Sequence, residues 1–150
     1  MLKKTTLPLK ILYIEDDGCH LLIKAKINRK AASILVDTGA SKTVFDKSRI
    51  ERFVNEKEFR KMEHLSTGLG VSDMQTHAVL INRLQLGTLI INDFETILLD
   101  LSHVNFSYDK LNLPAIDGVL GNDLLMQYKA IVDYKTKKLK LVWKKVNSEK

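Results

Sequence analysis

The residues of this chain best suited to chemistry are gathered in one octet, Ile34-Leu35-Val36-Asp37-Thr38-Gly39-Ala40-Ser41. Three apolar residues run directly into a carboxylate, a hydroxyl and a glycine. A carboxylate drawn into apolar surroundings must be paired, hydrogen-bonded or protonated. Thr38 and Ser41 supply hydroxyls. Gly39 permits close backbone approach, so its amide can donate to Asp37. The octet therefore reads as a carboxylate held in a fixed pose at a strand end. One such group does little to an amide bond. Two that share a proton do more: one takes a proton from water while the other gives one to the carbonyl oxygen. Like charges at contact distance resist joint ionisation, which is what splits the proton affinities of such a pair. The octet occurs once. The second carboxylate must come from another copy or from elsewhere in the chain, where Asp117, in Ile116-Asp117-Gly118, is the available acid. It lacks the adjacent hydroxyl.

Other constellations have simpler readings. Cys19-His20 lacks the spacing of a metal site, and His64, His77 and His103 are too scattered to act as ligands. No serine sits in a nucleophile-elbow context. Gly68-Leu69-Gly70 has no following GK[ST] and no helix opening after it, so it is not a phosphate loop. Trp143 and Phe94 read as core residues.

The elements that must position Asp37 are mostly strands. Leu9 to Ile14 is a first strand, followed by a turn at Asp16-Asp17-Gly18. Leu21, Ile23, Ala25 and Ile27 alternate with Leu22, Lys24 and Lys26, a period of two. Asn28-Arg29 turns the chain into a strand from Ala31 to Val36, so a hairpin arm delivers Asp37. Asn55 and Glu58 have the form of a capping box and predict a helix over 55–63. Thr67 to Val71 is a flexible tip. Ala78 to Leu86 and Leu89 to Leu99 read as long strands about Gly87. Residues 101–115 have no clean period and read as a loop. Gly118-Val119-Leu120-Gly121 is a short apolar strand between glycines. Asn122 then caps a helix with Leu124, Leu125 and Tyr128 on one side. Ile131–Tyr134 and Leu139–Trp143 form a closing hairpin.

The bulk properties fit one domain spanning residues 1–150. A chain of 150 residues with 45% hydrophobic content buries a core without disulfides. One cysteine, Cys19, excludes a disulfide framework and fits a reducing, cytoplasmic setting. The N-terminal stretch lacks the apolar region of a signal peptide, and no run approaches the roughly 18 apolar residues of a membrane span. The net charge of +6 owes much to Lys135, Lys137, Lys138, Lys140, Lys144, Lys145 and Lys150. These alternate with or flank Leu139, Leu141 and Trp143. They read as the solvated face of a strand rather than as a nucleic-acid surface.

ILVDTGAS resembles the active-site signature of the retropepsin-like aspartic proteases, the family of retroviral proteases and their bacterial and cellular relatives. Val119-Leu120-Gly121, followed by Asn122-Asp123-Leu124-Leu125, resembles the family's second element, two apolar residues and a glycine before a short helix. Thr67-Gly68-Leu69-Gly70 stands in the order of its flap. The resemblance implies a mainly β fold, a closed or partly open barrel with one or two short helices that builds one half-site per chain. It implies a catalytic Asp37, with Thr38 reaching to the partner's backbone and Gly39 and Ala40 lining the substrate floor beside Ser41. Gly68, Leu69 and Gly70 would cover substrate, and Val119, Leu120 and Gly121 would support the site. The implied activity is an endopeptidase acting on a peptide or protein substrate as a C2 homodimer, with no metal or cofactor. The alternative is a catalytically silent module that binds peptide or dimerises. Retroviral enzymes are shorter, and their chain termini interleave in the dimer; here the basic C-terminus does not read as an interface strand.

Overall fold

The computed structural model describes residues 1–55 and 77–145. The predicted helix at 55–63, Asn55 apart, and the glycine tip at 67–71 lie outside the described residues.

Two hairpins dominate. Strands β3 (Cys19–Ile27) and β4 (Lys30–Val36) pair antiparallel from Leu21↔Val36 to Ile27↔Lys30. Asn28 and Arg29 turn between them with φ of 49° and 72°, the left-handed pair that a two-residue turn between twisted strands demands. Strands β6 (His77–Leu86) and β7 (Leu89–Leu99) turn about Gly87, φ 62°. A Cβ at Gly87 would lie 2.2 Å from the Thr5 hydroxyl oxygen, so position and conformation both require glycine.

Short strands join these hairpins into a barrel. β4 pairs in parallel with β8 (Gly118–Leu120), β8 antiparallel with β5 (Val44–Asp46), and β5 in parallel with β7. Lys26 and Ile27 of β3 meet Gln85 and Leu84 of β6. The circuit β3-β4-β8-β5-β7-β6 thus closes as a six-stranded barrel. β2 (Lys10–Tyr13) extends it from the other end of β3.

Alternation along the strands fills two cores. Ile23, Ile27, Ile34, Val36, Phe45, Ile81, Leu98 and Leu120 point into the barrel. Leu22, Val44 and Val119 point outward, to a second cluster with Leu12, Leu101, Tyr108 and Ile116. Leu35 packs there too. This explains why Ile34-Leu35-Val36 is apolar without a break: both faces of the central strands are covered.

The outer cover corrects the sequence reading. Residues 101–115, expected as a loop, contain helix α1 (Ser102–Lys110), which buries Tyr108. Its start is held from a distance. The Asp46 carboxylate, fully buried, accepts from the Leu101 amide at 3.1 Å and from Asn105 Nδ2 at 3.2 Å. Asp100 accepts from the Ser102 amide at 2.9 Å. Asn105 also clasps Ile116, donating to its carbonyl and accepting from its amide. The apolar period is weak because only one edge of α1 touches the barrel, and the amide at its cap position, Leu101, is held by an acid 55 residues away.

The chain ends form a separate sheet. β1 (Leu2–Pro8) pairs antiparallel with β10 (Lys138–Lys144) through seven positions, and β10 pairs with β9 (Ile131–Asp133). On β10, Leu139 and Leu141 are buried and Lys140 is exposed, so the lysines form a solvated strand face as expected. The first strand was expected at Leu9–Ile14; that segment holds β2, and β1 precedes it.

Candidate active site

β4 carries Asp37 to the barrel's end in a fixed register. Ile34, Leu35 and Val36 pair with Gly118, Val119 and Leu120. The ladder continues one step further, the Asp37 amide donating to the Leu120 carbonyl at 3.0 Å. The chain then turns on its own carboxylate. The Gly39 amide donates to Asp37 Oδ1 at 2.8 Å, and the Ala40 amide donates to the Asp37 carbonyl at 3.1 Å. A Cβ at Gly39 would lie 3.2 Å from that Oδ1, so glycine keeps the approach open.

The loop is stitched to helix α2 (Asn122–Gln127). The Asn122 amide donates to the Ala40 carbonyl at 2.8 Å and the Asp123 amide to the Ser41 carbonyl at 3.2 Å. Asn122 Nδ2 donates to the Thr38 carbonyl at 2.6 Å. Asn122 was expected to cap the helix. Instead Gly121 holds the cap position, without a side-chain bond, and Asn122 spends its side chain on the loop. Leu124 and Leu125 are buried and Tyr128 packs against the barrel core, as the spacing predicted. Gly121 is where loop and helix touch: a Cβ there would lie 2.5 Å from the Lys42 carbonyl carbon and oxygen and 3.0 Å from the Ala40 oxygen.

A buried knot behind the loop was not foreseen. Thr43, 1% exposed, donates its hydroxyl to Asp123 Oδ1 at 2.8 Å and its amide to the same oxygen at 2.9 Å. The Leu124 amide adds a third donor at 2.8 Å. The Thr43 hydroxyl in turn accepts from the Gly121 amide at 3.0 Å, and its carbonyl accepts from the Thr96 hydroxyl. The only signal in the sequence is position: Asn122 and Asp123 directly follow Gly121, and Thr43 lies two residues past Ser41.

Thr38, Gly39, Ser41 and Lys42 are exposed, and Asp37 and Ala40 half-exposed. The carboxylate thus sits on an open face. The structure brings Asp37, Thr38, Gly39, Ala40 and Ser41 together with Val119, Leu120 and Gly121. Gly68, Leu69 and Gly70 lie outside the described residues. Asp117 is not brought to the site. Its amide donates to the Ser33 carbonyl, four residues before Asp37 on β4, about 13 Å away along an extended strand. It is 6% exposed; Oδ1 accepts from Arg49 Nε at 2.7 Å and Oδ2 from the Ser33 amide at 2.8 Å. Elsewhere, His20 Nδ1 bonds the Tyr108 hydroxyl at 2.5 Å, and burial raises the Tyr108 pKa above its ordinary value. Among the described residues no helix is long and apolar enough to cross a membrane.

A closed six-stranded barrel, with an Asp-Thr-Gly loop docked on an apolar-apolar-glycine strand and the helix after it, defines the retropepsin-like class. The aspartyl protease family profile matches residues 23–124, more than half of the chain, and the chain belongs to that family. Its fold is similar to a retropepsin-like aspartic protease from Rickettsia conorii, with a TM-score of 0.55, 18% identity, and 95% of this chain and 91% of that one covered. It is also similar to the retroviral protease-like domain of Ddi1 from Leishmania major, with a TM-score of 0.54, 18% identity, and coverages of 87% and 90%. No curated protein sequence matches the chain.

Proposed function

We propose that the chain is one domain and half of an aspartic endopeptidase, completed by a second copy that supplies its own Asp37. One observation carries this reading. Asp37 is held by backbone amides on an exposed face, and among the described residues the buried acids, Asp46 and Asp117, are already bound to the groups that hold the fold. A carboxylate so prepared, with the buried acids of the described residues engaged elsewhere, suits a two-fold pairing with its equivalent. One Asp37 takes a proton from water as the oxygen attacks the peptide carbonyl; the other gives its proton to the carbonyl oxygen. Collapse of the resulting diol passes a proton to the leaving nitrogen and yields acid and amine. Thr38 would bond the partner's loop, while Gly39, Ala40 and Ser41 would line the floor for an extended peptide. Residues Gly68 to Gly70 would cover that peptide, and no metal or cofactor takes part. The single cysteine suits a cytoplasmic setting.

A second reading, a silent module that binds peptide or dimerises, is favoured by one feature. β1 and β10 pair with each other along their length, so the terminal strands already have a partner within the chain. Sedimentation equilibrium over a concentration series, beside cleavage of a mixed peptide library by wild type and Asp37→Asn, separates the readings. Cleavage that rises with dimer population and vanishes in Asp37→Asn supports the peptidase. A dimer that cleaves nothing between about pH 4 and 7, where such a pair shares its proton, supports the silent module.

A further inference from the structure

The barrel end remote from Asp37 holds a concavity of about 400 Å³. Three cations line it: Lys30, which opens β4, and Arg49 and Arg52, from the turn that follows β5. Phe53 and Pro114 add apolar wall, and Asp117 is the one carboxylate among the lining residues. The cations therefore outnumber the acid, leaving a surplus of two positive charges.

Their donors are underused. Arg49 is 26% exposed and spends only Nε, on Asp117. Its two terminal nitrogens have no hydrogen-bond partner among the described residues, nor does the Arg52 guanidinium. Lys30 Nζ gives one proton to the Arg52 carbonyl at 3.0 Å and keeps two. Asp117 fixes the Arg49 guanidinium plane in advance, so a ligand meets an ordered fork rather than a floppy side chain.

We propose that this concavity binds the phosphoryl group of a small phosphomonoester with a compact apolar body. A phosphate dianion balances the surplus of two charges, which a single carboxylate does not. Its oxygens match the paired terminal nitrogens of arginine, and Phe53 and Pro114 take the apolar portion. The inference does not depend on peptidase activity.

The test uses the full chain and two probes with the same ring, phenyl phosphate and benzoate, titrated to about 10 mM in about 150 mM salt, where exposed charges are screened beyond about 8 Å. Backbone amide NMR should show phenyl phosphate shifting Ala31, Ser33, Phe53 and Ala115, with benzoate at least about fivefold weaker. Arg52→Gln, which leaves the Arg49–Asp117 pair intact, should weaken phenyl phosphate by about fivefold or more. Equal binding of the two probes would overturn the proposal. So would shifts confined to the exposed lysines of β10, or an affinity that Arg52→Gln leaves unchanged.

Discussion

Gly121→Ala tests the packing that poses the Asp37 loop. The added methyl would sit 2.5 Å from both carbonyl atoms of Lys42. Those are backbone atoms, so no side chain can swing aside. Ordinary contact begins near 3.4 Å, which requires loop and helix to part by nearly 1 Å. The Asn122–Ala40 hydrogen bond, 2.8 Å long, would stretch past the useful range of about 3.2 Å. Overpacking costs about 1–3 kcal/mol and the lost hydrogen bond about 1 kcal/mol more. At about 2–4 °C per kcal/mol for a chain of this size, the melting temperature should fall by about 4–16 °C. Thermal and urea unfolding followed by circular dichroism measure this directly. Gly18→Ala isolates backbone strain without a clash: its Cβ meets nothing within 4 Å, and its cost is that of φ 91°, ψ −137°, a region nearly confined to glycine, about 1–3 kcal/mol. A Gly121→Ala protein that melts within about 2 °C of wild type would refute the argument that loop and helix are locked at this contact.

Thr43→Val should cost about 1–3 kcal/mol, because it leaves the Gly121 amide without an acceptor in a buried site; the urea midpoint reads it, with the slope unchanged. Arg49→Met leaves the Asp117 carboxylate buried with only the Ser33 amide, and should destabilise by about 2–4 kcal/mol after allowance for Arg49's partial exposure. Adding Asp117→Asn should restore part of that loss, and additive losses would contradict the pairing. The backbone amide of Thr136, followed by its side chain, holds the Asp133 pKa below the ordinary carboxylate value. A depressed folded-state pKa stabilises above the unfolded value, and that contribution is lost as pH falls through the folded one. Asp133→Asn should therefore lower the urea midpoint at neutral pH and converge with wild type in strong acid; a gap that persists at about pH 2 would contradict it.

What could be read in advance was whatever local chemistry decides. Asn28-Arg29 and Gly87 mark turns whose backbone needs left-handed residues, so both hairpins were visible. The octet and Val119-Leu120-Gly121 were visible as motifs, and the structure joins them through a parallel register. Helix α1 was hidden because its stability is not local: Asp46 and the outward residues Leu22, Val44 and Val119 hold it. β1 was hidden because Lys3, Lys4 and Thr6 are exposed, and the strand exists through β10 and the Thr88 amide's bond to the Thr5 hydroxyl. The Thr43–Asp123 knot joins residues 80 apart, beyond the reach of any periodicity. The same limit explains the misplaced cap: Asn122 is a good capping residue by type, but contacts from the distant loop place it inside the helix, with Gly121 at the cap and the Asn122 side-chain amide donating to the Thr38 carbonyl.

The central claim is that catalysis needs two Asp37 carboxylates from two chains. Mixing wild type with Asp37→Asn at constant total concentration, after subunit exchange, measures this most directly through the rate of peptide cleavage. If every active unit requires both carboxylates, the rate follows the square of the wild-type fraction, and an equal mixture retains about one quarter of the activity. A linear fall, with about half retained, would mean that each chain works alone and would contradict the account.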